Sequence, residues 1–222
     1  VCRRLPGGEG LDAALRRHGL ADERAVVERA ERMAAPASAV DPALVRRVAV
    51  LSRVTIGADI AVTSVFLRAA LERFPAAEVA FVGSARNAAL FAGEPRVWHV
   101  EAPYPRGGSL GERLAVWLEA ERTVNGLAAD AAGFVLLDPD SRIGQLGLLP
   151  FLPADRGYLR FDSRSYADGR AAPLGALAGE WLADAMGGPA PRPWLAPAAE
   201  AVEAAKWLVG ALQRPVAAVN FG

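Results

Sequence analysis

The chain has 222 residues, 52% of them hydrophobic and 23% charged, which suffices for one generous domain or one domain with part of a second. Its 25 basic and 25 acidic residues cancel, leaving no global field to collect nucleic acid or an anionic surface. The single cysteine, Cys2, excludes an internal disulfide and a cysteine metal cluster, and no stretch approaches the roughly 18 apolar residues of a membrane span. Lys206 is the only lysine, so the positive charge is almost all arginine, an imbalance that reflects GC-rich coding and carries no collective meaning. The start, VCRRLPGGEG, lacks the apolar core of a secretory signal, so a cytosolic location is the default expectation.

Residues 1–47 read as a helical N-terminal extension of two or three short amphipathic helices. Leu11/Leu15 and Val26/Ala30/Met33 stand at helical spacing, and Asp41-Pro42 offers an N-cap followed by proline at the first helical position. Arg16, Arg17 and the Arg/Glu run from Glu23 to Arg32 are expected to form a solvated face. His18 has no second ligand at metal spacing and is expected at the surface or at a cap.

From Val48 onward, strands alternate with helices, the pattern of an α/β fold with an open parallel sheet covered on both faces. Val48–Leu51 is the first strand, Ser52–Gly57 a turn, and a helix opens near Asp59 with Ser64, Arg68 and Glu72 spaced by four. A helix amino end at such a turn favours an anion, so a ligand site is expected here. Further strands are predicted at Glu78–Val82, Val97–Glu101, Gly133–Leu137 and Tyr158–Phe161. Between them lie a short helix ending near Phe91 and a helix capped by Ser109 with Leu110, Leu114, Trp117 and Leu118 on one side. Strand four empties into Asp138-Pro139-Asp140-Ser141-Arg142, and a polar run, Asp162–Tyr166, follows strand five. Ligands bind at this edge of open α/β sheets.

A helix is predicted over Leu174–Met186, giving a Rossmann-like domain over 48–186. Gly187–Pro197 is too rich in proline for helix or central strand and reads as an interdomain linker. Val202, Ala205, Val209 and Leu212 mark a last helix and Pro215–Asn220 a last strand, so residues 198–222 read as the start of a second, truncated domain. A first residue other than Met and a closing strand signal add to the expectation of a piece of a longer chain.

The turn lacks G-x-x-x-x-G-K-[ST], and its single glycine, Gly57, is not the G-x-G-x-x-G of dinucleotide enzymes, which disfavours a nucleotide-dependent oxidoreductase. There is no G-x-S-x-G elbow, and His99 sits within a strand, so a serine-hydrolase triad is poorly supported. From position alone Asp59 is either an N-cap, the commoner role, or a general base facing the crevice. Asp138 and Asp140 have the comparable reading of ordinary turn chemistry.

The run from Arg47 to Val100 resembles the N-terminal half of the ADP-heptose:lipopolysaccharide heptosyltransferases, the family 9 glycosyltransferases. The resemblance is carried by an apolar strand, Ser52-Arg53, Ile56-Gly57, Asp59, Thr63 four residues on, and a helix closing through Leu71–Pro75 before a strand of E-V-A-F-V-G type. It implies a GT-B fold in which this half binds the acceptor and a second domain binds an ADP-heptose-like nucleotide sugar, with no metal or other cofactor. It further implies that Asp59 is the general base, with Ser52, Arg53, Thr55, Gly57 and Thr63 shaping the turn and Asp140, Arg142 and Arg164 meeting the hydroxyls or phosphate of a glycan or glycolipid acceptor. A bacterial, cytoplasmic role in lipopolysaccharide assembly, with peripheral contact at the inner membrane, belongs to the same expectation. One departure stands out: Gly57-Ala58-Asp59 has a residue between the glycine and the aspartate that the family usually lacks. Without most of a nucleotide-sugar domain this chain alone is expected to be inactive. The alternative is a non-catalytic α/β domain, derived from such an enzyme, that binds a sugar or a partner.

Overall fold

The structure, a computed structural model, describes residues 8–34, 40–105, 107–129, 131 and 133–212. Cys2 and the strand expected at Pro215–Asn220 lie outside these. The protein is α/β. Strands β1 (Arg47–Leu51), β2 (Glu78–Gly83), β3 (Val97–Glu101), β4 (Phe134–Asp138) and β5 (Tyr158–Arg160) form one parallel sheet in the order β3-β2-β1-β4-β5.

Along each strand, side chains alternate between two buried faces, which is why the central strands read as continuous apolar runs. Val48, Val50, Val79, Phe81, Val135, Leu137 and Leu159 pack on one face. Ala49, Leu51, Ala80, Val82, Leu136 and Tyr158 pack on the other.

The first face is covered by α3 (residues 56–73) and by α7 (Leu174–Met186), joined through the rings of Phe66, Phe161 and Trp181. The second is covered by α1 (Gly8–Arg17) and α5 (Leu110–Ala129), whose Trp117 is fully buried and donates Nε1–H to Pro150 O at 2.9 Å. Ser109 begins α5 with a capping box: Ser109 N–H bonds the Glu112 carboxylate and Ser109 Oγ accepts from Glu112 N. Asp41 likewise caps, but only a single 3₁₀ turn, Pro42–Leu44.

Helix α3 is continuous from Ile56 to Arg73 and changes pitch. Ile56–Ala58 and Ser64–Arg73 are α-helical, whereas Asp59–Thr63 is a π turn in which Ser64 N–H reaches Asp59 O. A π turn holds one residue more than an α turn. It accommodates Ala58 without moving Asp59 and Thr63 off a common face. The helix starts at Ile56 rather than near Asp59, because Thr55 is the N-cap, its side chain accepting from Ala58 N.

Two expectations for the N-terminal extension are corrected. Arg29, on α2 (Glu23–Ala34), is not on a solvated face but 1% exposed. It chelates the Asp155 carboxylate through Nε and Nη2 and gives Nη1 to the carbonyls of Gly147 and Leu148. His18 is not at the surface: its ring is 5% exposed and held at 2.8 Å by Glu121 of α5. Both are buried because a partner waits far along the sequence, which no local pattern reports.

Residues 187–197 form an extended strap bolted to the domain. Trp194 donates Nε1–H to Ser64 O at 2.6 Å and its backbone N–H to Ser64 Oγ. Its ring packs on Phe91 and under the Arg68 guanidinium. Gly93 and Ala196 are also joined, N–H to carbonyl, at 2.7 Å. Gly179 makes room for this: a Cβ there would lie 2.4 Å from Pro191 O. Helix α8 (Ala199–Gly210) follows and buries none of its residues, leaving Trp207 78% exposed.

Candidate functional site

The strand order makes β1 and β4 neighbours whose connections diverge. β1 leads into α3 on one face, and β4 leads into a segment, Ser141–Leu152, whose Ile143, Leu149, Phe151 and Leu152 pack on the other. A crevice at the carboxyl ends of two such strands is where open α/β sheets bind ligands.

On the β1 side the organising group is Asp59. Its carboxylate is fully buried and accepts from Ser52 Oγ at 2.7 Å and Asn87 Nδ2 on one oxygen. The other oxygen accepts from Arg53 N and Thr63 Oγ1, both at 2.6 Å. A carboxylate offers about four lone-pair directions, and four donors take them. Asp59 thus holds strand end, turn, π turn and the Ser84-capped helix α4 (Ala85–Ala88) together. As a proton acceptor toward a ligand it has first to release one of these partners.

Val54, beside it, sits at φ 64°. For a β-branched residue this left-handed backbone costs on the order of 1–3 kcal/mol. The turn tolerates it because Ser52 Oγ accepts from Val54 N while Asp59 fixes the next residue back.

On the β4 side, Asp138 is fully buried, accepting from Tyr158 OH and Ser141 N at 2.6 Å each. Burial raises its carboxyl above the ordinary range against the pull of those two hydrogen bonds and Arg160. Asp140, at φ 67°, is buried against Ser163 Oγ and the Arg160 guanidinium. Ser141 stitches the two sides together, donating its hydroxyl to Ser52 O at 2.6 Å.

Arg53 spans the crevice, giving Nη1 to Pro139 O at 2.8 Å. Burial pulls its guanidinium below its ordinary pKa, while Asp140, Asp138 and Asp59 oppose the shift and Arg142 adds to it. The geometry therefore brings a half-buried guanidinium, with an exposed Arg142 as its like-charged neighbour, over a floor of enclosed carboxylates. Such a floor and lip suit hydroxyl-rich or anionic ligands, which arginine grips through paired N–H groups.

Of the residues expected at the site, Ser52, Arg53, Asp59 and Thr63 share one hydrogen-bonded network, with Asp140 across the crevice. Thr55 caps α3, and Gly57 is exposed with open space around it. Arg164 is exposed on α6 (Ser163–Ala167), and no side-chain contact joins it to the crevice among the described residues. Sequence reasoning passed over Asn87, Arg160 and Ser163. Asn87 had a signal: Gly83-Ser84 ends the strand that neighbours β1, and Ser84 opens a helix three residues before it. Among the described residues no three His, Cys, Asp or Glu side chains cluster to hold a metal, and no helix is long and apolar enough to cross a membrane. In comparisons with protein-family models, curated proteins and solved structures, nothing matches this chain.

Proposed function

We propose that this chain is the acceptor-binding half of a GT-B glycosyltransferase of heptosyltransferase type, acting on a lipopolysaccharide or other cell-envelope glycan. The supporting observation is the convergence of Ser52, Arg53, Asp59 and Thr63, which carry the family resemblance, with Pro139–Arg142 at the β1/β4 crevice. In this reading Arg53 and Arg142 hold the acceptor. Asp59 takes the proton of its attacking hydroxyl after exchanging one of its donors for it. Sugar arrives from a nucleotide-sugar donor held by a second domain, its bond to the nucleoside diphosphate breaking as the acceptor oxygen bonds the anomeric carbon.

A second reading, a non-catalytic sugar- or partner-binding domain derived from such an enzyme, is favoured by one observation: every lone pair of Asp59 is already occupied.

The test begins with NMR titration of this chain with a lipopolysaccharide inner-core oligosaccharide. Saturable shifts at Arg53, Asp140 and Arg142, weakened about tenfold in Arg53→Ala, support the site; no shifts there reject it. Transfer by a longer chain carrying the donor domain then separates the readings. Loss of transfer in Asp59→Asn with binding retained supports the base; near-normal transfer reduces Asp59 to a structural brace, and no transfer by the unsubstituted longer chain supports the second reading.

A further inference from the structure

A second polar cavity is lined by residues other than those of the crevice network. It measures about 150 Å³ and is lined by His18, Arg29, Arg32, Pro150, Leu152 and Asp155. It exists because α1 and α2 fold over the segment between β4 and β5.

The charges around it are unequally satisfied. Asp155 is chelated by Arg29, and that guanidinium gives its Nη1 hydrogens to Gly147 and Leu148. The pair is neutral and rigid. Glu121, behind the cavity, accepts from His18 and Asn125, with Arg17 at 3.6 Å from its other oxygen. Arg32 is exposed at the rim, and its guanidinium has no partner among the described residues. The lining thus keeps one unmatched positive charge and no unmatched carboxylate.

His18 adds the specific element. Its side chain is 95% buried, and because a carboxylate only accepts, Nε2 carries the hydrogen donated to Glu121. In the neutral ring the other nitrogen, Nδ1, is then an acceptor without a partner among the described residues, in a ring that lines the cavity. A ring acceptor and an arginine lining one cavity fit a ligand that both accepts and donates. A tetrahedral oxyanion that retains a hydroxyl does this: its charged oxygens take the Arg32 N–H groups and its hydroxyl gives its hydrogen to Nδ1. Pro150 and Leu152 close the apolar side.

We propose that the His18–Arg32 cavity is a binding site for a hydroxyl-bearing oxyanion of the phosphate class. It is independent of the crevice and of the reading given to the crevice. Because Arg29 both walls the cavity and holds the Gly147 and Leu148 carbonyls, an occupant rests directly against the support of the loop that follows β4.

Inorganic phosphate, sulfate and glycerol 1-phosphate are titrated at neutral pH and followed by amide NMR shifts. The site predicts saturable shifts at His18, Arg32 and Leu152, with phosphate ahead of sulfate because sulfate has no hydroxyl to donate. At neutral pH a phosphate monoester, with its second pKa at about 6, has mostly lost its hydroxyl, so glycerol 1-phosphate should fall behind inorganic phosphate and the natural ligand is the free ion. Arg32→Ala, at an exposed position, weakens phosphate about tenfold. His18→Gln, which keeps a donor for Glu121, abolishes the preference over sulfate. Three results overturn the proposal: no saturable shift at these residues up to about 10 mM phosphate, equal response to phosphate and sulfate in the wild type, or phosphate binding lost in Arg53→Ala and kept in Arg32→Ala, which puts the anion in the crevice.

Discussion

Replacing Asp59 by alanine removes the acceptor of four hydrogen bonds in a fully buried place. The donors are not equally adaptable. The hydroxyls of Ser52 and Thr63 can rotate toward backbone oxygens, whereas Arg53 N–H keeps only a 3.3 Å contact to Thr63 Oγ1 and Asn87 Nδ2 is left bare. At about 1–3 kcal/mol for each buried donor without a partner, Asp59→Ala should cost about 3–5 kcal/mol of folding free energy. Asp59→Asn should cost less, about 1–2 kcal/mol. Its amide oxygen still accepts from Arg53 and Thr63, and an inverted Asn87 amide meets its NH₂, so what is lost is mainly the charge on the acceptor. Urea denaturation of the three proteins, read by tryptophan fluorescence and circular dichroism, gives the differences. A loss below about 1 kcal/mol for alanine refutes the bracing role. A gain in stability would mean that the carboxylate is kept against the interest of the fold, as catalytic groups are.

Three further outcomes follow from the same geometry. Burial raises Asp138, so between the ordinary carboxyl value of about 3.8 and its raised value the unfolded chain releases a proton that the folded chain keeps, and stability falls as pH rises through that window. Asp138→Asn, which can still pair with Ser141 N and Tyr158 OH, should lack this fall, so its urea midpoint separates upward from the wild type as pH goes from 4 to 7. Trp117→Phe leaves Pro150 O without its donor and a gap in the second face, costing about 2–4 kcal/mol by the same denaturation measurement. Gly133→Ala places a Cβ 1.9 Å from Leu44 O at φ 83°, and thermal unfolding should show a loss of at least about 2 kcal/mol.

The sheet was legible because its strands are buried on both faces and so stand out as apolar runs between polar turns. All five strands lie where the runs predict them, within a residue or two at the ends. Caps were legible too, at Ser109 and Asp41, because they act over three residues. What depends on a distant partner was not legible. Arg29 looks like any other member of a charged helical run until Asp155 and the Gly147 carbonyl arrive from more than a hundred residues away. The same holds for His18 and Glu121. Asp59 was singled out as a cap or a base; the cap is Thr55, and the enclosure of Asp59 depends on Asn87, brought in by the neighbouring strand. The π turn is written in Gly57-Ala58-Asp59 only as a surplus residue, and helical periodicity does not say where a surplus is absorbed. The proline-rich stretch 187–197 was read from composition, which reports backbone stiffness and is silent on whether a stiff segment is bolted down.

That strap ties the chain beyond α7 back to the site. Between α7 and α8 its Ala196 is held at Leu90 and Gly93, and its Trp194 at the Ser64 carbonyl and hydroxyl, the first residue beyond the π turn. Ser64 Oγ in turn grips Ile60 O inside that turn. The strap and the crevice therefore share one anchor: Ser64 joins Trp194 to the turn that carries Asp59 and Thr63.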